Sequence, residues 1–465
     1  MRVQKMYDKR NKGSGGMNRR KKYAFLTACF LGCFLLGGCA PKVLAESIVY
    51  VEGGEEFENR SPGAETADGM KTGKADIVAD QAVEKQQCEW KWTVDFRDYD
   101  AEYCRKAAPD CFVVYNKAKK FGVMDYEGHF IIPCEMQWVG RFSEGLLLVE
   151  KDSQYFYMDR DGNRLGSEAY EGALSFSEGL AAVRQEGKWG YINQKGEMVI
   201  APQYRFASSF SEGLAAVQYG DKWGFIDAFG KNVTAFEYDQ VRPFREGYAV
   251  IEKKGRYGLI DKNGNMHLEC EYDMVDDFHE GYTAVCKEQW GMINCEGEVV
   301  IPFEYDWIDI CSEGLVAAEK EAGDGTREWL YLNKKGEIVI ENTAYQYHPG
   351  EIDTAYPFQG GHAFVPVGDD GEGCLIDRSG MYLFDGRNSE YKIESSVYHQ
   401  GLDLILISTG SDKKRDKRYG LMGADGEIML EPEFEWISMD SEGSYFYARR
   451  YENGMLRKGI IEITK

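Results

Sequence analysis

The 465-residue chain has only six histidines and lacks the short motifs that identify common enzymes. The histidines form no His-Glu-x-x-His pair, which excludes a zinc helix of that kind. The recurring Ser-Glu-Gly serines lack the glycine two residues earlier that a nucleophile elbow requires. There is also no glycine-rich phosphate loop, and the Asp159–Asn163 run lacks the twelfth-position Glu of an EF-hand calcium loop. The sequence therefore predicts no catalytic residue, no metal site and no cofactor.

Positive charge is scarce beyond the N-terminus. Residues 1–39 contain nine Lys or Arg and one Asp, so 46 basic and 77 acidic residues remain, a formal charge of −31. A surface this acidic is repelled by phosphate backbones and by anionic lipid headgroups. We therefore expect no nucleic-acid partner and no direct membrane contact beyond a lipid anchor.

Proline and long helix-forming runs are also scarce, whereas glycine and aromatic residues are common. The chain has 11 Pro against 53 Gly, and 14% of its residues are aromatic. This composition favours short β-strands joined by turns. The nine cysteines beyond Cys39 form no Cys-x-x-Cys pair and do not recur in phase. A repeated disulfide framework is therefore not expected, although Cys104 and Cys111 could pair.

The N-terminal region reads as an export signal followed by a linker. The basic Met17-Asn-Arg-Arg-Lys-Lys segment precedes an uncharged apolar stretch, and Leu36-Gly-Gly-Cys39 closes it. This order is typical of a secretory signal peptide, and its ending resembles the bacterial lipobox, which makes Cys39 the expected lipid-attachment residue. We interpret residues 1–39 as the signal, with translation starting at Met17 rather than Met1. Residues 40–90 are polar and are predicted to be a flexible tether.

The strongest signal is an internal repeat in residues 91–465. A Phe-Ser-Glu-Gly-Leu phrase recurs with its glycines at 145, 179, 213, 247, 281 and 314, spaced by 34 or 33 residues. An aromatic-Gly phrase follows in constant phase, and its central copies are Trp189-Gly190, Trp223-Gly224, Tyr257-Gly258 and Trp290-Gly291. Copies over 112–340 are regular, and those over 341–465 are degenerate. These phrases resemble the WG-repeat family, which implies repeated β-structure and a surface or interaction role in bacteria, with no shared catalytic residues.

One unit of about 34 residues offers three or four short strands, and a recurrent Asx-x-x-Gly step fits a hairpin turn. Such a unit cannot cover its own apolar face, so units must stack on one another. We therefore predict an all-β tandem array, either a propeller-like ring or an open β-solenoid. Nine units and a partial tenth are recognisable, more than the usual four to eight blades of a propeller. The glycine of each aromatic-Gly pair is expected to make room for an aromatic ring of the adjacent unit.

Residues that obey the repeat are expected to be structural, and residues that break it are better candidates for binding. The phrase glutamates Glu178, Glu212, Glu246 and Glu280 could form a cation track, but we favour backbone capping between units. The aromatic-Gly pairs are assigned to the core between units. The candidate ligand-binding residues are Trp138, Trp307 and Trp436, which depart from the consensus.

Together these features predict a non-catalytic lipoprotein on the extracytoplasmic face of a bacterial cell membrane. Its repeat array would bind or scaffold a macromolecule, either a protein or a cell-wall or extracellular glycan. Two alternatives stay open: a glycan-active enzyme that uses paired carboxylates, and a purely structural spacer.

Overall fold

A computed structural model describes residues 88–99, 102–321, 327–341, 355–367, 372–386, 389–399, 404–410, 416–438 and 444–464. All of them belong to one compact unit, Glu84–Lys465. The predicted signal peptide, the lipid-attachment residue Cys39 and almost all of the predicted tether lie outside the described residues. The first described strand begins at Glu89, two residues before the predicted start of the array.

The unit is an all-β propeller of ten blades in a ring. Each blade is an antiparallel meander in which strands adjacent in sequence pair with each other. The closing strand is β1 (Glu89–Asp95), followed by a short 3-10 helix (Phe96–Asp98). The strands of blades 1 to 5 are β2 (Glu102–Ala108), β3 (Cys111–Tyr115), β4 (Phe121–Asp125) and β5 (Phe130–Met136); β6 (Trp138–Ser143), β7 (Leu146–Lys151) and β8 (Gln154–Met158); β9 (Gly172–Ala173), β10 (Leu180–Gln185), β11 (Lys188–Asn193) and β12 (Met198–Tyr204); β13 (Phe206–Ala207), β14 (Leu214–Tyr219) and β15 (Lys222–Asp227); and β16 (Gln240–Val241), β17 (Tyr248–Lys253), β18 (Arg256–Asp261) and β19 (Met266–Tyr272).

The second half of the ring repeats this pattern with longer connections. The strands of blades 6 to 10 are β20 (Met274–Val275), β21 (Tyr282–Lys287), β22 (Gln289–Asn294) and β23 (Val299–Tyr305); β24 (Trp307–Ser312), β25 (Leu315–Glu321), β26 (Arg327–Asn333) and β27 (Ile338–Glu341); β28 (His362–Val367), β29 (Glu372–Asp377) and β30 (Tyr382–Asp385); β31 (Lys392–His399), β32 (Leu404–Thr409), β33 (Arg418–Gly423) and β34 (Ile428–Phe434); and β35 (Trp436–Ile437), β36 (Tyr445–Glu452) and β37 (Met455–Thr464). In blades 2 and 4 the fourth strand is reduced to isolated bridges.

Local turn chemistry explains why the repeat folds into hairpins. In blade 3, Gln185 pairs with Lys188, which leaves Glu186 and Gly187 as a two-residue turn. Both turn residues have positive φ, 49° and 75°, as a type I′ hairpin requires. The Asx-x-x-Gly step then joins the third strand to the fourth: Asn193 Oδ1 accepts the N–H groups of Lys195 and Glu197. The same two turns recur around the ring. Because they lie at opposite ends of the strands, the two-residue turns are on one face of the ring and the Asx-x-x-Gly turns are on the other.

Neighbouring blades bury their apolar faces against each other. The buried side chains form ten clusters, and each cluster combines residues of two successive blades. Between blades 3 and 4, Tyr191 packs edge-on against Phe210, with ring centroids 4.9 Å apart, and its hydroxyl donates to the Ser208 carbonyl at 2.8 Å. Full burial of such a ring contributes about 2–3 kcal/mol. The stacking of units that the sequence predicted is therefore present.

The ring closes through a strand from the other end of the chain. Strand β1 pairs antiparallel with β37, which joins Trp92 to Ile461 and Val94 to Ile460. The order β1-β37-β36-β35 makes β1 the fourth strand of blade 10. The C-terminal stub of the repeat is thus the third strand of that blade. Of the two predicted alternatives, the closed ring is therefore the correct one. In an open solenoid, the side of β37 that pairs with β1 would be unpaired.

Candidate functional site

The phrase glutamates connect successive blades. Each carboxylate accepts a backbone N–H from the equivalent turn of the next blade. The bonds run from Gly213 to Glu178, from Gly247 to Glu212, from Gly281 to Glu246 and from Gly314 to Glu280, at 2.8–3.0 Å. Lysines from the next blades add ion pairs, Lys262 to Glu212 and Lys334 to Glu280. These carboxylates therefore cap the turns between successive blades, and they already accept hydrogen bonds from backbone N–H groups or pair with lysines.

The aromatic-Gly pairs lie at the boundaries between blades, but the glycine acts differently from the expectation. Trp290 is 8% exposed, and Trp189, Trp223 and Tyr257 are partly buried against the inter-blade clusters. A Cβ on Gly190 would lie 2.4 Å from the Ile200 carbonyl oxygen of its own blade. The counterparts Gly258 and Gly291 face the same fourth-strand backbone, and Gly224 faces Phe236 of its own blade. The prediction that the glycine makes room for an aromatic ring of the adjacent unit is therefore wrong. The glycine instead leaves space for the bulged fourth strand of its own blade.

The three candidate tryptophans occupy one equivalent position, the first residue of the first strand, in blades 2, 7 and 10. Trp138 is 37% exposed and Trp436 is 39% exposed, whereas Trp307 is more covered. Trp307 packs edge-on against Trp290 at 5.2 Å, and Trp436 packs against Tyr419 at 5.3 Å. The structure therefore does not bring the three rings into one patch. It places Trp436 and Trp138 on either side of blade 1, and Trp307 lies far along the ring.

The seam site is the surface where the ring closes, bounded by Trp436 of blade 10 and Trp138 of blade 2. Antiparallel alternation puts the first residue of a blade and the turn between its second and third strands on the same face. Tyr451, 51% exposed, and Met455, 62% exposed, flank that turn in blade 10 and add to the apolar surface of this face. The seam site thus concentrates exposed aromatic side chains on a chain whose surface is mostly acidic.

Cations of blade 10 hold the closing strand at the seam. Arg450 lies over the Trp90 ring at 5.1 Å, and Arg457 lies over Trp92 at 4.5 Å. The Trp92 indole N–H donates to Glu452 Oε1 at 2.9 Å. Cation–π contacts at partly exposed sites contribute about 0.5–1 kcal/mol each. The cluster of Arg449, Arg450, Arg457 and Lys458 in the last hairpin is the signal for this region that the sequence contains.

A cavity of about 520 Å³ opens at the seam between blades 10 and 1. Among the described residues that line it, four are cationic, namely Arg97, Lys117, Lys119 and Lys458, and one, Glu102, is acidic. Lys458 Nζ lies 3.2 Å from Glu102 Oε1, and the Tyr115 hydroxyl donates to the same carboxylate at 3.2 Å. Burial opposes ionisation of Glu102, but these bonds lower its pKa overall. The volume is within the range of small-ligand pockets.

A second departure from the repeat lies in, or directly after, the first strands of blades 5 to 7. Two residues before the phrase-initial aromatic or cysteine, successive blades carry Leu174, Ser208, Arg242, Asp276 and Asp309. Arg242 Nη1 lies 3.1 Å from Asp276 Oδ1, a contact between successive blades. Burial raises the pKa of Asp309 to about 6, and the charge of Asp276 acts in the same direction.

Arg242, Asp276 and Asp309 form a charged column that whole phrases do not reveal, because it appears only when single positions of the repeat are aligned. The preceding blades offer a further signal. Tyr157, Tyr191 and Tyr331 donate their hydroxyls to the carbonyl at this position of the next blade. Phe225, Leu259 and Met292 replace the tyrosine where that next residue is charged. The two changes coincide at the same three boundaries.

Two polar features have ordinary structural explanations. Asp125, Glu127 and His129 lie close enough to hold a metal ion, but Asp125 Oδ1 accepts the N–H groups of Glu127 and His129, as the equivalent Asp or Asn does in blades 2 to 8. The suggested pair of Cys104 with Cys111 is wrong, because Cys111 is a buried free thiol. Burial raises the pKa of that thiol to about 12.

The sheet order and the closing strand define the class: the chain is a ten-bladed β-propeller made of tandem repeats. It belongs to the family of proteins with WG-containing repeats, whose family model matches residues 121–155, 168–189, 189–223, 223–257, 257–289, 290–322 and 419–454. The family assignment predicted from the aromatic-Gly phrases is confirmed. Within the described residues, no helix is long and apolar enough to cross a lipid bilayer.

The similarity to solved structures is distant. A crystal structure of the eukaryotic initiation factor is 11% identical, with 75% of this chain and 96% of that chain covered and a TM-score of 0.40. The WD40 domain of SCAP from fission yeast is 7% identical, with coverages of 81% and 98% and a TM-score of 0.27. At such scores neither structure bears on function. No curated protein matches the chain.

Proposed function

We propose that the chain is a non-catalytic binding propeller, attached through Cys39 to the extracytoplasmic face of the bacterial membrane. The seam site would bind a macromolecular partner, a protein or an envelope glycan. The observation that carries the proposal is the pair of partly exposed tryptophans, Trp138 and Trp436, one on each side of the ring closure. Tryptophan is enriched among the few residues that carry most of the energy of a binding surface, so two partly exposed tryptophans on one face are candidates for such a surface.

Several features support a binding role over a spacer. A spacer needs only regular blades, yet this ring departs from its repeat at the seam, where aromatics and cations concentrate. The acidity of the remaining surface disfavours nucleic acid as the partner. A regular propeller also presents a rigid platform, which reduces the entropic cost of ordering a binding surface.

The test is capture of envelope components by the full-length protein and its variants after crosslinking. We expect Trp436→Ala and Trp138→Ala each to reduce capture of the main partner strongly, since truncating a central tryptophan weakens binding by about 2 kcal/mol or more. Phe229→Ala is the matched control, because Phe229 is 90% exposed but lies in a turn on the opposite face. Equal capture by all three variants would contradict the proposal. Trp307→Ala should have a smaller effect, because Trp307 lies in blade 7.

The second candidate function is that of a glycan-active enzyme, and the environment of Asp309 is the observation that favours it. Its raised pKa and the neighbouring Asp276 carboxylate resemble an acid–base pair. Under this alternative, Asp309→Asn would abolish release of reducing ends from a polysaccharide while capture by the seam site stayed intact. No change in reducing ends between the wild type and the variant would exclude Asp309 as the acid.

A further inference from the structure

The cavity at the seam has a charge opposite to that of the protein around it. Its described lining residues include four cations, two of which (Arg97 and Lys458) are paired with carboxylates, and one carboxylate, whereas residues 40–465 carry a net −31. At physiological salt, charges interact over about 8 Å, so a bound group experiences the lining cations more than the distant acids. The cavity therefore favours an anion, and the acidic surroundings disfavour a long polyanion.

The cations are held in place before any ligand arrives. Arg97 donates to both carboxylate oxygens of Asp95, and Lys458 bonds Glu102. Lys119 lies in a turn with a φ of 57°, and its Nζ lies 4.1 Å over the Tyr115 ring. Among the described residues, no carboxylate lies within ion-pair distance of Lys119. Its ammonium is thus positioned by an aromatic ring, with donors available to a ligand.

The cavity is larger than a bare ion needs, and its walls are mixed. The Tyr115 hydroxyl, which donates to Glu102, can still accept a hydrogen bond, and Phe96, Tyr99 and Leu456 supply apolar surface. A polyhydroxylated ring with a charged substituent matches this mixture, because sugars present both hydroxyls and an apolar face. A flat protein surface does not, since a standard protein interface buries about 800 Å² on each side.

We infer that the cavity at the closing seam binds an acidic saccharide unit, a sugar that carries a carboxylate or a phosphate. Lys119 would bind the anionic group, and the Tyr99 and Leu456 side would face the sugar ring. The short unit is bound at the end of a glycan or as a free sugar, because a longer polyanion would run over the acidic surface. This inference rests on the proposed binding function and names the ligand class of the seam site.

The experiment is isothermal titration of the full-length protein in detergent with four probes. Trigalacturonate supplies carboxylates, glucose 6-phosphate supplies a phosphate on a sugar, and maltotriose is neutral. Inorganic phosphate tests a bare ion. We expect at least one acidic sugar to bind about tenfold or more tightly than maltotriose and inorganic phosphate, with affinity falling as salt is raised. Comparison of the two acidic sugars distinguishes the source of the charge.

The variants locate the binding. Lys119→Ala should weaken binding of the acidic sugar about tenfold, and Lys119→Glu should weaken it further. Lys254→Ala is the matched control, because Lys254 is also an exposed lysine at a φ of 57° in the equivalent turn of blade 5. Thermal unfolding should be the same for all three variants, since the changes are at the surface.

Three outcomes would overturn the inference: equal effects of Lys119→Ala and Lys254→Ala, binding of inorganic phosphate as tight as that of either acidic sugar, or no binding of either acidic sugar. Failure of the inference is distinguishable from failure of the proposed function. If tryptophan-dependent partner capture persists while the sugars do not bind, only the ligand class is wrong. If the sugars bind and the tryptophan variants capture the partner normally, the proposed binding of a macromolecule through Trp138 and Trp436 is wrong, and the inference about the sugar stands.

Discussion

The glycine of the aromatic-Gly pair has a steric role within its own blade. Strand β11 pairs with β12 through register shifts on both sides of Tyr191. At this bulge the backbone of the fourth strand comes so close that a Cβ on Gly190 would meet the Ile200 oxygen at 2.4 Å and the Pro202 nitrogen at 2.7 Å. Both contacts are to backbone, which cannot move without disrupting the pairing. The repeat therefore needs glycine at this position in each blade that has the bulge.

Gly190→Ala should be strongly destabilising, by about 3 kcal/mol or more, because the added methyl group forces the fourth strand out of its pairing. Gly172→Ala is the control within the same blade: its Cβ would meet only side-chain atoms, those of Trp189 at 3.3 Å and of Arg184 at 3.5 Å. Urea unfolding of the two variants measures the difference. Similar losses for both would show that backbone contact is not the reason for the glycine.

Asp309 should make the stability of the ring depend on pH in an unusual direction. Burial and the charge of Asp276 raise its pKa to about 6 from an ordinary value of 3.8, and the Ile310 N–H opposes the shift only in part. The folded state therefore holds the proton more tightly than the unfolded chain does. The contribution of Asp309 is most favourable below about pH 4, falls as the pH rises to about 6, and stays lost above that.

Asp309→Asn should consequently stabilise the protein near pH 7.5, by up to about 3 kcal/mol, and this difference should shrink towards pH 4. The measurement is the free energy of unfolding in urea across that pH range. Asp261→Asn is a control of opposite sign, since hydrogen bonds from Asn265 and Asn263 outweigh burial and lower the pKa of Asp261. A gain for Asp309→Asn that does not vary with pH would rule out this account of its carboxyl.

At the scale of strands, the closure of the ring depends on one pairing between the two ends of the described chain. Lys91 is opposite Glu462 in the β1–β37 register, and their side chains form an ion pair at 2.7 Å. Exposed pairs of this kind contribute little to stability. The closure instead rests on the ladder and on apolar groups such as Val94 and Ile460, which lie in the cluster between blades 10 and 1.

The register predicts that a disulfide will form across the seam. Directly opposed residues of antiparallel strands have Cα atoms about 4.5–5.5 Å apart, a distance that suits a disulfide. The double variant Lys91→Cys, Glu462→Cys should form this crosslink under mild oxidation, identified by peptide mapping without reduction. Lys91→Cys alone is the control. Linkage of the introduced thiols to native cysteines rather than to each other would mean that the ring does not close through β1.

The strand pattern shows which elements the sequence can predict. The phrase glycines and the Asx-x-x-Gly steps are local turn signals, so the hairpins of blades 3 to 7 follow directly from them. The closing strand Glu89–Asp95 was not predicted, because its pairing with β37 is not encoded by any nearby turn. The cavity at the seam depends on that same long-range pairing. It was therefore not visible from the repeat, although the cations of the last hairpin were.

Every blade of the ring packs against two neighbouring blades. Within the part of the chain that the structure describes, ten clusters accompany ten blades, so each boundary between blades, including the one at the seam, has its own apolar core. The repeat predicted stacking but left ring and solenoid open, because the angle between blades is set by side-chain packing across each boundary. The charged column of blades 5 to 7 leaves the apolar clusters between those blades complete.

The attachment of this ring to a membrane is a prediction from Leu36-Gly-Gly-Cys39, outside the described residues. If Cys39 is acylated, the protein expressed in bacteria should incorporate labelled palmitate and partition with the membrane. Cys39→Ala should abolish the label, because the thiol is the site of attachment, and a secreted or uncleaved form should accumulate. Cys33→Ala, in the same apolar stretch, is the matched control and should keep the label. Each buried methylene contributes about 0.8 kcal/mol to membrane binding, so loss of the chains should release the ring from washed membranes. Label retained in Cys39→Ala would mean that Cys39 is not the site of lipid attachment.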